Sequence, residues 1–367
     1  MKVLWLTNIP SPYRVDFFNE FGKYCDLTVL FEKKASDERD ESWMNFNVKN
    51  FKAVFLKGKS IKTDSALCFG VLKYIKKGVY DRIVVTNFSD ATGIMAILAM
   101  KFKKIPFIVE SDGGFAGSGR GLKEKIKKFL LKNAEAYFST AKMHDEYYLT
   151  YGANADKIFR YPFTSLKNSD IISKPVTSDE KFILRQKLGV KEERVVLTVG
   201  QFIHRKGNDV LLKAARIFDK NTGFYFVGGV PTEEYLKYSG ENIHFVGFKK
   251  KEDLKEYYKM ADVFVLPTRE DIWGLVINEA MACGLPVITT DRCIAGLELV
   301  SSDSIGSVVP VGDDVALSEK IKTVLSENFE IDHEYILKKI RNYTIEQMAK
   351  RHIEVFENFY NETKSEC

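Results

Sequence analysis

Short apolar runs alternate with stretches in which apolar residues recur every three or four positions, and this alternation passes along the chain twice. In the first half, KVLWLT (2–7), DLTVLF (26–31), DRIVVT (81–86), PFIVE (106–110) and AYFST (136–140) read as strands. They are nearly continuous in hydrophobicity, which predicts burial on both faces of a parallel sheet. Helices are predicted over 14–21, 64–77, 91–102, 122–133 and 144–151, while 32–60 is charged, aromatic and irregular. Residues 164–192 break the rhythm. They are polar and contain Pro175, and Thr177-x-x-Glu180 forms a capping box before a short helix. Alternation then resumes with strands at 194–201, 224–229 and 243–248 and helices at 208–218 and 252–260, and the chain closes with helices near 315–326 and 345–360. The pattern predicts an α/β protein with two Rossmann-like domains, 1–163 and 164–345, followed by a terminal segment, 346–367.

Composition narrows the classes. A chain of 367 residues favours two domains, and 45% hydrophobic with 29% charged residues is ordinary for a soluble globular protein. The 55 basic and 50 acidic residues are interspersed, which argues against a dedicated nucleic-acid binder. Five cysteines, at 25, 68, 283, 293 and 367, show no CxxC pairing, so neither a zinc site nor a disulfide framework is expected. That usage points to a reducing cytoplasm. Met1-Lys2 runs directly into a strand without a signal-peptide pattern, and the longest apolar run, 94–100, is too short to span a bilayer.

The densest chemistry lies in VFVLPTREDIWGLVINEAMACGLPVITT (263–290), which reads as strand, loop, helix, strand. A helix starting at Gly274 aims free N–H groups and the positive end of its dipole at the strand end, and Gly274 lets an anion approach the backbone. Glu270 and Asp271 precede it, and Glu279 lies inside it. Carboxylates repel an anion but accept hydrogen bonds from hydroxyls, so the combination suits a phosphate joined to a polyol, that is, a nucleotide sugar. Acids that merely cap the helix are the plainer alternative, which leaves Glu279 unexplained. Upstream, VGQFIHRKGNDVLL (199–212) places Arg205 and Lys206 between strand and helix, where open α/β sheets bind ligands.

The 263–290 stretch resembles the signature of retaining GT-B glycosyltransferases of family 4, in which two acids are separated by seven residues. Asp271 and Glu279 have that spacing. The first acid is usually Glu, and with Glu270 adjacent the sugar contact is left open between Glu270 and Asp271. Residues 199–212 resemble the family's basic signature: Lys206 matches, and Gln201 replaces a common Arg, whose load would pass to Arg205. The resemblance implies a GT-B fold, with two Rossmann-like domains facing a central cleft, acceptor domain first and donor domain second, and a last helix, 346–367, returning to the first. It implies that Arg205, Lys206 and the N–H groups of Gly274 and Leu275 hold the donor diphosphate. Glu270, Asp271 and Glu279 would meet sugar and ribose, and Gly247 and Phe248 the nucleobase. Asp112 aligns where the family often has His and, with Asp271 and Glu279, completes the catalytic set, although an Asp before Gly-Gly is also an ordinary turn residue. Tyr13 and Arg14, in NIPSPYR, are placed nearest the acceptor and read as exposed, whereas His144 reads as a surface residue.

No metal or cofactor is expected, the nucleotide sugar being a co-substrate, with UDP favoured over GDP. The acceptor is a saccharide or a lipid-linked saccharide of cell-surface polysaccharide or glycolipid synthesis. Helix 122–133 carries lysines on one side and Leu, Ile and Phe on the other, either a solvated face over a core stripe or a peripheral contact with the inner face of a membrane. Two rivals stand beside this reading: a nucleotide-sugar 2-epimerase, with Asp112 and Glu110 as its only acids, and a non-catalytic glycosyltransferase-like subunit.

Overall fold

The computed structural model describes residues 1–34, 47–117 and 121–365. It divides into two compact units, Met1–Ser165 with Thr344–Cys367, and Leu166–Tyr343.

In the first unit the strands are β1 (Lys2–Thr7), β2 (Asp26–Phe31), β3 (Lys52–Phe55), β4 (Lys59–Lys62), β5 (Ser65–Leu67), β6 (Arg82–Val85), β7 (Ile108–Glu110), β8 (Ala136–Ser139) and β9 (Ile158–Arg160). Seven form a parallel sheet in the order β3-β2-β1-β6-β7-β8-β9, and β4 pairs with β5 in a separate antiparallel hairpin. Every residue of β1 after Lys2 is buried, as a central parallel strand covered on both faces requires. The helix Pro12–Phe21 starts with proline, whose fixed φ suits a first turn. It lays Phe17, Phe18 and Phe21 edge-on to Trp5, with ring centroids 5.4–5.6 Å apart. The last helix, Ile345–Ser365, packs on this same helix, and Phe356 meets Phe21 at 5.8 Å.

The helix expected over 64–77 is absent. Its place is taken by β5 and a short 3-10 turn, Phe69–Lys73. Long-range side chains capture this backbone: Ala66 N–H donates to Glu32, and Cys68 N–H to Thr92. Tertiary bonds override a modest helical pattern. Within the irregular region at 32–60, residues 35–46 lie outside the described residues, as do 118–120 of the glycine-rich loop at 111–121.

In the second unit β10 (Arg194–Val199), β11 (Thr222–Val227), β12 (Ile243–Val246), β13 (Val263–Leu266), β14 (Val287–Thr290) and β15 (Gly306–Val309) form a parallel sheet in the order β12-β11-β10-β13-β14-β15. The capping box forms at the start of the helix Ser178–Leu188, with Thr177 and Glu180 exchanging hydrogen bonds of 3.2 and 2.8 Å. Lys181 and Arg185 both reach Asp262 at the mouth of β13, so this helix is fastened to the second sheet. Among the described residues no helix is long and apolar enough to cross a membrane.

Candidate functional site

Parallel strands release their loops at the carboxyl edge of the sheet, so the loops after β10 and β13, adjacent in the sheet, meet there. Gly207 has φ +68°, and a Cβ on it would lie 2.0 Å from the Pro267 carbonyl, so only glycine lets the loops touch. Several bonds tie them together. The Arg205 carbonyl accepts from Arg269 N–H at 2.8 Å and from the Thr268 hydroxyl at 2.9 Å, and Arg269 grips Asp209 through both guanidinium nitrogens at 2.7 Å.

This clamp brings Lys206 Nζ to 2.6 Å from Asp271 Oδ2, with Arg205 at 3.6 Å from the same oxygen. Asp271 is 9% exposed. Its backbone is bonded to the segment after β14: its N–H donates to Arg292 O at 2.8 Å, and its carbonyl accepts from Ile294 N–H. Glu270, by contrast, points outward to Arg292 at 3.0 Å, and its side chain is half exposed. The structure thus separates the two neighbouring acids. Asp271 is gathered into the basic cluster, and Glu270 is a surface group.

Behind Asp271, Trp273 is buried and donates its indole N–H to Asn278 at 2.8 Å. Gly274, at φ +103°, caps the helix Leu275–Ala282, and Gly284, at φ +72°, follows its end as a C′ glycine. The first turn of this helix, including Leu275, has N–H groups with no partner within the helix. Glu279 accepts a 3.0 Å bond from the buried Tyr258 hydroxyl in a pocket also lined by Lys251, Lys255 and Leu254. Burial and then the Glu279 charge push the Tyr258 phenol well up, so it stays a donor. Gly247 and Phe248 follow the end of β12, with Phe248 60% exposed. The arrangement offers cations and helix N–H groups for a diphosphate beside carboxylates for hydroxyls.

At the carboxyl end of β7 in the first unit stands a second polar cluster. Arg14, expected to be exposed, is 3% exposed, and its guanidinium bridges Glu110 and Asp112. The reversal has a local cause: the helix Pro12–Phe21 turns Arg14 inward alongside Phe17 and Phe18, and two carboxylates compensate its charge. Tyr13 is half-buried and donates to Asp112 at 2.5 Å. Asp112 keeps 27% of its side chain exposed. Burial alone would raise the Glu110 carboxyl, but Arg14 and His352 outweigh it and hold that group below the usual glutamate value.

His144, expected at the surface, is fully buried. Its Nδ1 accepts from Thr140 N–H at 3.1 Å, so its proton sits on Nε2, which donates to Ser111 Oγ at 2.8 Å. Burial holds its pKa down to about 3. The pair looks like a Ser–His dyad with its polarity reversed: the imidazole cannot take the serine proton. The Arg269–Asp209 clamp, Tyr258 and His352 were missed from the sequence. Only Tyr258 carried a local signal, lying one turn before β13.

Residues 180–347 match the family model described as glycosyl transferases group 1. Among curated proteins, the chain is 24% identical over 258 residues to N,N'-diacetylbacillosaminyl-diphospho-undecaprenol alpha-1,3-N-acetylgalactosaminyltransferase of Campylobacter jejuni, covering 66% of this chain and 68% of that protein. It is 26% identical over 274 residues to an alpha-1,4-N-acetyl-D-galactosaminyltransferase of the same organism that acts on a GalNAc-extended diphospho-undecaprenol, covering 71% and 70%. In fold it matches Anabaena HepE, solved with UDP, at a TM-score of 0.76 and 16% identity, covering 98% of this chain and 100% of that one. With the two parallel sheets, and with the anion-ready helix start inside the matched region, these likenesses agree: residues 180–347 carry the pattern of the group 1 glycosyltransferases, and the chain has the GT-B fold.

Proposed function

We propose that this glycosyltransferase moves a sugar, with retention of anomeric configuration, from a nucleotide diphosphate sugar to a hydroxyl of a lipid-linked saccharide, with UDP-sugars preferred to GDP-sugars. The observation that carries the donor half is the Lys206–Asp271 pair, with Arg205 beside it, at the start of the helix Leu275–Ala282. Asp271 pairs directly with Lys206 and lies 3.6 Å from Arg205, so its one charge balances only part of the two cations. An incoming diphosphate takes over Lys206 and Arg205 and frees the Asp271 oxygens to accept from the sugar hydroxyls. Glu279 and Tyr258 receive the ribose, and Phe248 lies against the base. Positive charge for the leaving group comes from side chains and helix N–H groups, so the reading requires no metal.

The reaction runs on the front face. The bond from C1 to the phosphate oxygen breaks with its electrons going to phosphate. The acceptor oxygen bonds C1, and the acceptor proton passes to the departing phosphate. The role given to Asp112 in this reading is to steady positive charge at C1. The polyprenyl-diphosphate acceptors named for the Campylobacter relatives support a lipid-linked acceptor. So does the helix Leu122–Leu131: Leu130 and Leu131 are buried in the core, but Leu122, Ile126 and Phe129 are 75%, 48% and 61% exposed.

Thermal shift with UDP, GDP and ADP and their common sugars, without added metal, tests the donor site. One diphosphate should stabilise the wild type, by about 2.7 kcal/mol at a hundred-fold excess over its Kd. Lys206→Ala should abolish that response. Silence towards all of them favours a non-catalytic subunit, and a 2-epimer formed without acceptor favours an isomerase. A trapped covalent glycosyl-enzyme would sink the front-face mechanism.

A further inference from the structure

The last helix reaches into the first unit's polar cluster. His352 is fully buried, and its ring stacks on Phe138 at 4.1 Å. Its Nδ1 lies 2.8 Å from Met348 O, and its Nε2 lies 3.0 Å from Glu110 Oε2. A carbonyl only accepts. Glu110 is held in its ionised form, so it also only accepts. Nε2 is therefore the donor to Glu110. The other Glu110 oxygen takes one Arg14 nitrogen, the second Arg14 nitrogen takes Asp112 Oδ1, and Tyr13 takes Asp112 Oδ2. The result is an alternating chain of donors and acceptors: imidazole, carboxylate, guanidinium, carboxylate. Only its last member, Asp112, is appreciably exposed, at 27% against 0% for Glu110 and 4% for Arg14.

We infer that His352 is a positioning residue for Asp112, acting through Glu110 and Arg14. With His352 donating, Glu110 is shared and Arg14 can divide its fork between two carboxylates. Without it, the buried Glu110 draws the guanidinium to itself, and Asp112 loses the bond that fixes its oxygens. The titratable groups facing the chain are Tyr13, Tyr148, Tyr161 and His144. Burial leaves Tyr148 and Tyr161 neutral phenols and His144 a neutral imidazole whose Nε2 proton is given to Ser111, so none of them replaces the missing donor to Glu110. The inference rests on the proposed role of Asp112 in transfer.

Two substitutions at one site separate positioning from packing. His352→Gln retains a donor near the Nε2 position, and His352→Asn only one near Nδ1. Both lose the ring stack on Phe138, so both should melt at similarly lowered temperatures. With the nucleotide sugar selected by the thermal-shift screen, turned over to acceptor or to water, His352→Asn should lower kcat about ten- to a hundred-fold, the scale of a misplaced catalytic group. The donor KM should hold within about two-fold, and His352→Gln should recover most of the rate. In an Asp112→Asn background, His352→Asn should change kcat less than about two-fold, because its effect passes through the missing carboxylate.

Equal loss in Asn and Gln variants, or an additive double mutant, overturns the inference and leaves His352 a packing residue. Full activity in Asp112→Asn overturns the reading of Asp112 instead. Arg14→Lys gives an arm independent of the last helix: an ammonium keeps the charge but cannot fork, so its kcat should fall as in His352→Asn. A crystal structure of His352→Asn gives an arm independent of turnover, and an Asp112 carboxylate still seated on the Arg14 fork there overturns the inference.

Discussion

At Gly274 the backbone and the packing each exclude a side chain. Its φ is +103°, and a Cβ would lie 2.8 Å from Cys293 Sγ and 3.3 Å from Leu266. Gly312 has a similar φ, +80°, but nothing within 4 Å. Alanine at Gly312 should cost about 1–2 kcal/mol, the left-handed penalty alone. Alanine at Gly274 should cost more and should also weaken diphosphate binding, because the shifted segment carries the first N–H groups of the helix. Urea unfolding of both variants, with and without the diphosphate, reads the two effects apart. His144 gives a pH prediction at the same scale. Its imidazole titrates near 6.5 unfolded but at about 3 folded, chiefly through burial. Between those values the unfolded chain binds one more proton, so stability falls as pH falls through this window. From pH 7 to pH 5 this group should remove about 2 kcal/mol, and His144→Gln should flatten that part of the urea-derived profile.

Elements differ in how far their neighbours along the chain reveal them. The helix Leu122–Leu131 shows its lysines and apolar residues in its own sequence, but whether Ile126 and Phe129 are covered depends on the helix Ala91–Lys103, whose Lys101 lies 5.4 Å from the Phe129 ring. If this face meets lipid, the protein should sediment with vesicles containing phosphatidylglycerol and not with pure phosphatidylcholine. Replacing the exposed Lys123, Lys125 and Lys128 by Gln should lower partitioning by about a hundred-fold, at about 1 kcal/mol per lysine near an anionic surface. Equal sedimentation of wild type and triple variant would remove the element from the membrane reading. The strand–loop–helix at 263–290 was legible because one continuous stretch holds it. The different surroundings of Glu270 and Asp271 were not, since they depend on Lys206 and Arg292 in two other loops. Arg14 and His144 were misread for the same reason: the acceptors that make their burial tolerable, Glu110 and Ser111, sit on a distant strand end.

At the scale of the whole molecule, the two units differ in how their cores are assembled along the chain. Leu166–Tyr343 is continuous, and its six strands need nothing from outside that range. The first unit draws on both ends of the chain: Ile345, Met348, His352, Val355 and Phe356, all on its last helix, are at most 1% exposed. Burying side chains of this size contributes about 1.5–3 kcal/mol each, so removing the last helix takes away on the order of 10 kcal/mol. That is as much as a domain of this size usually has in total. Residues 166–343 expressed alone should therefore unfold in one cooperative transition and keep the diphosphate response. Residues 1–165 alone should show no cooperative transition and no dispersed amide spectrum, because Trp5, Phe17 and Phe21 would face water where Phe356 and His352 now cover them. Supplying residues 344–367 in trans, or fusing them after residue 165 through a flexible linker, should restore both. A cooperative, well-dispersed 1–165 fragment would show instead that the last helix lies on a core already complete.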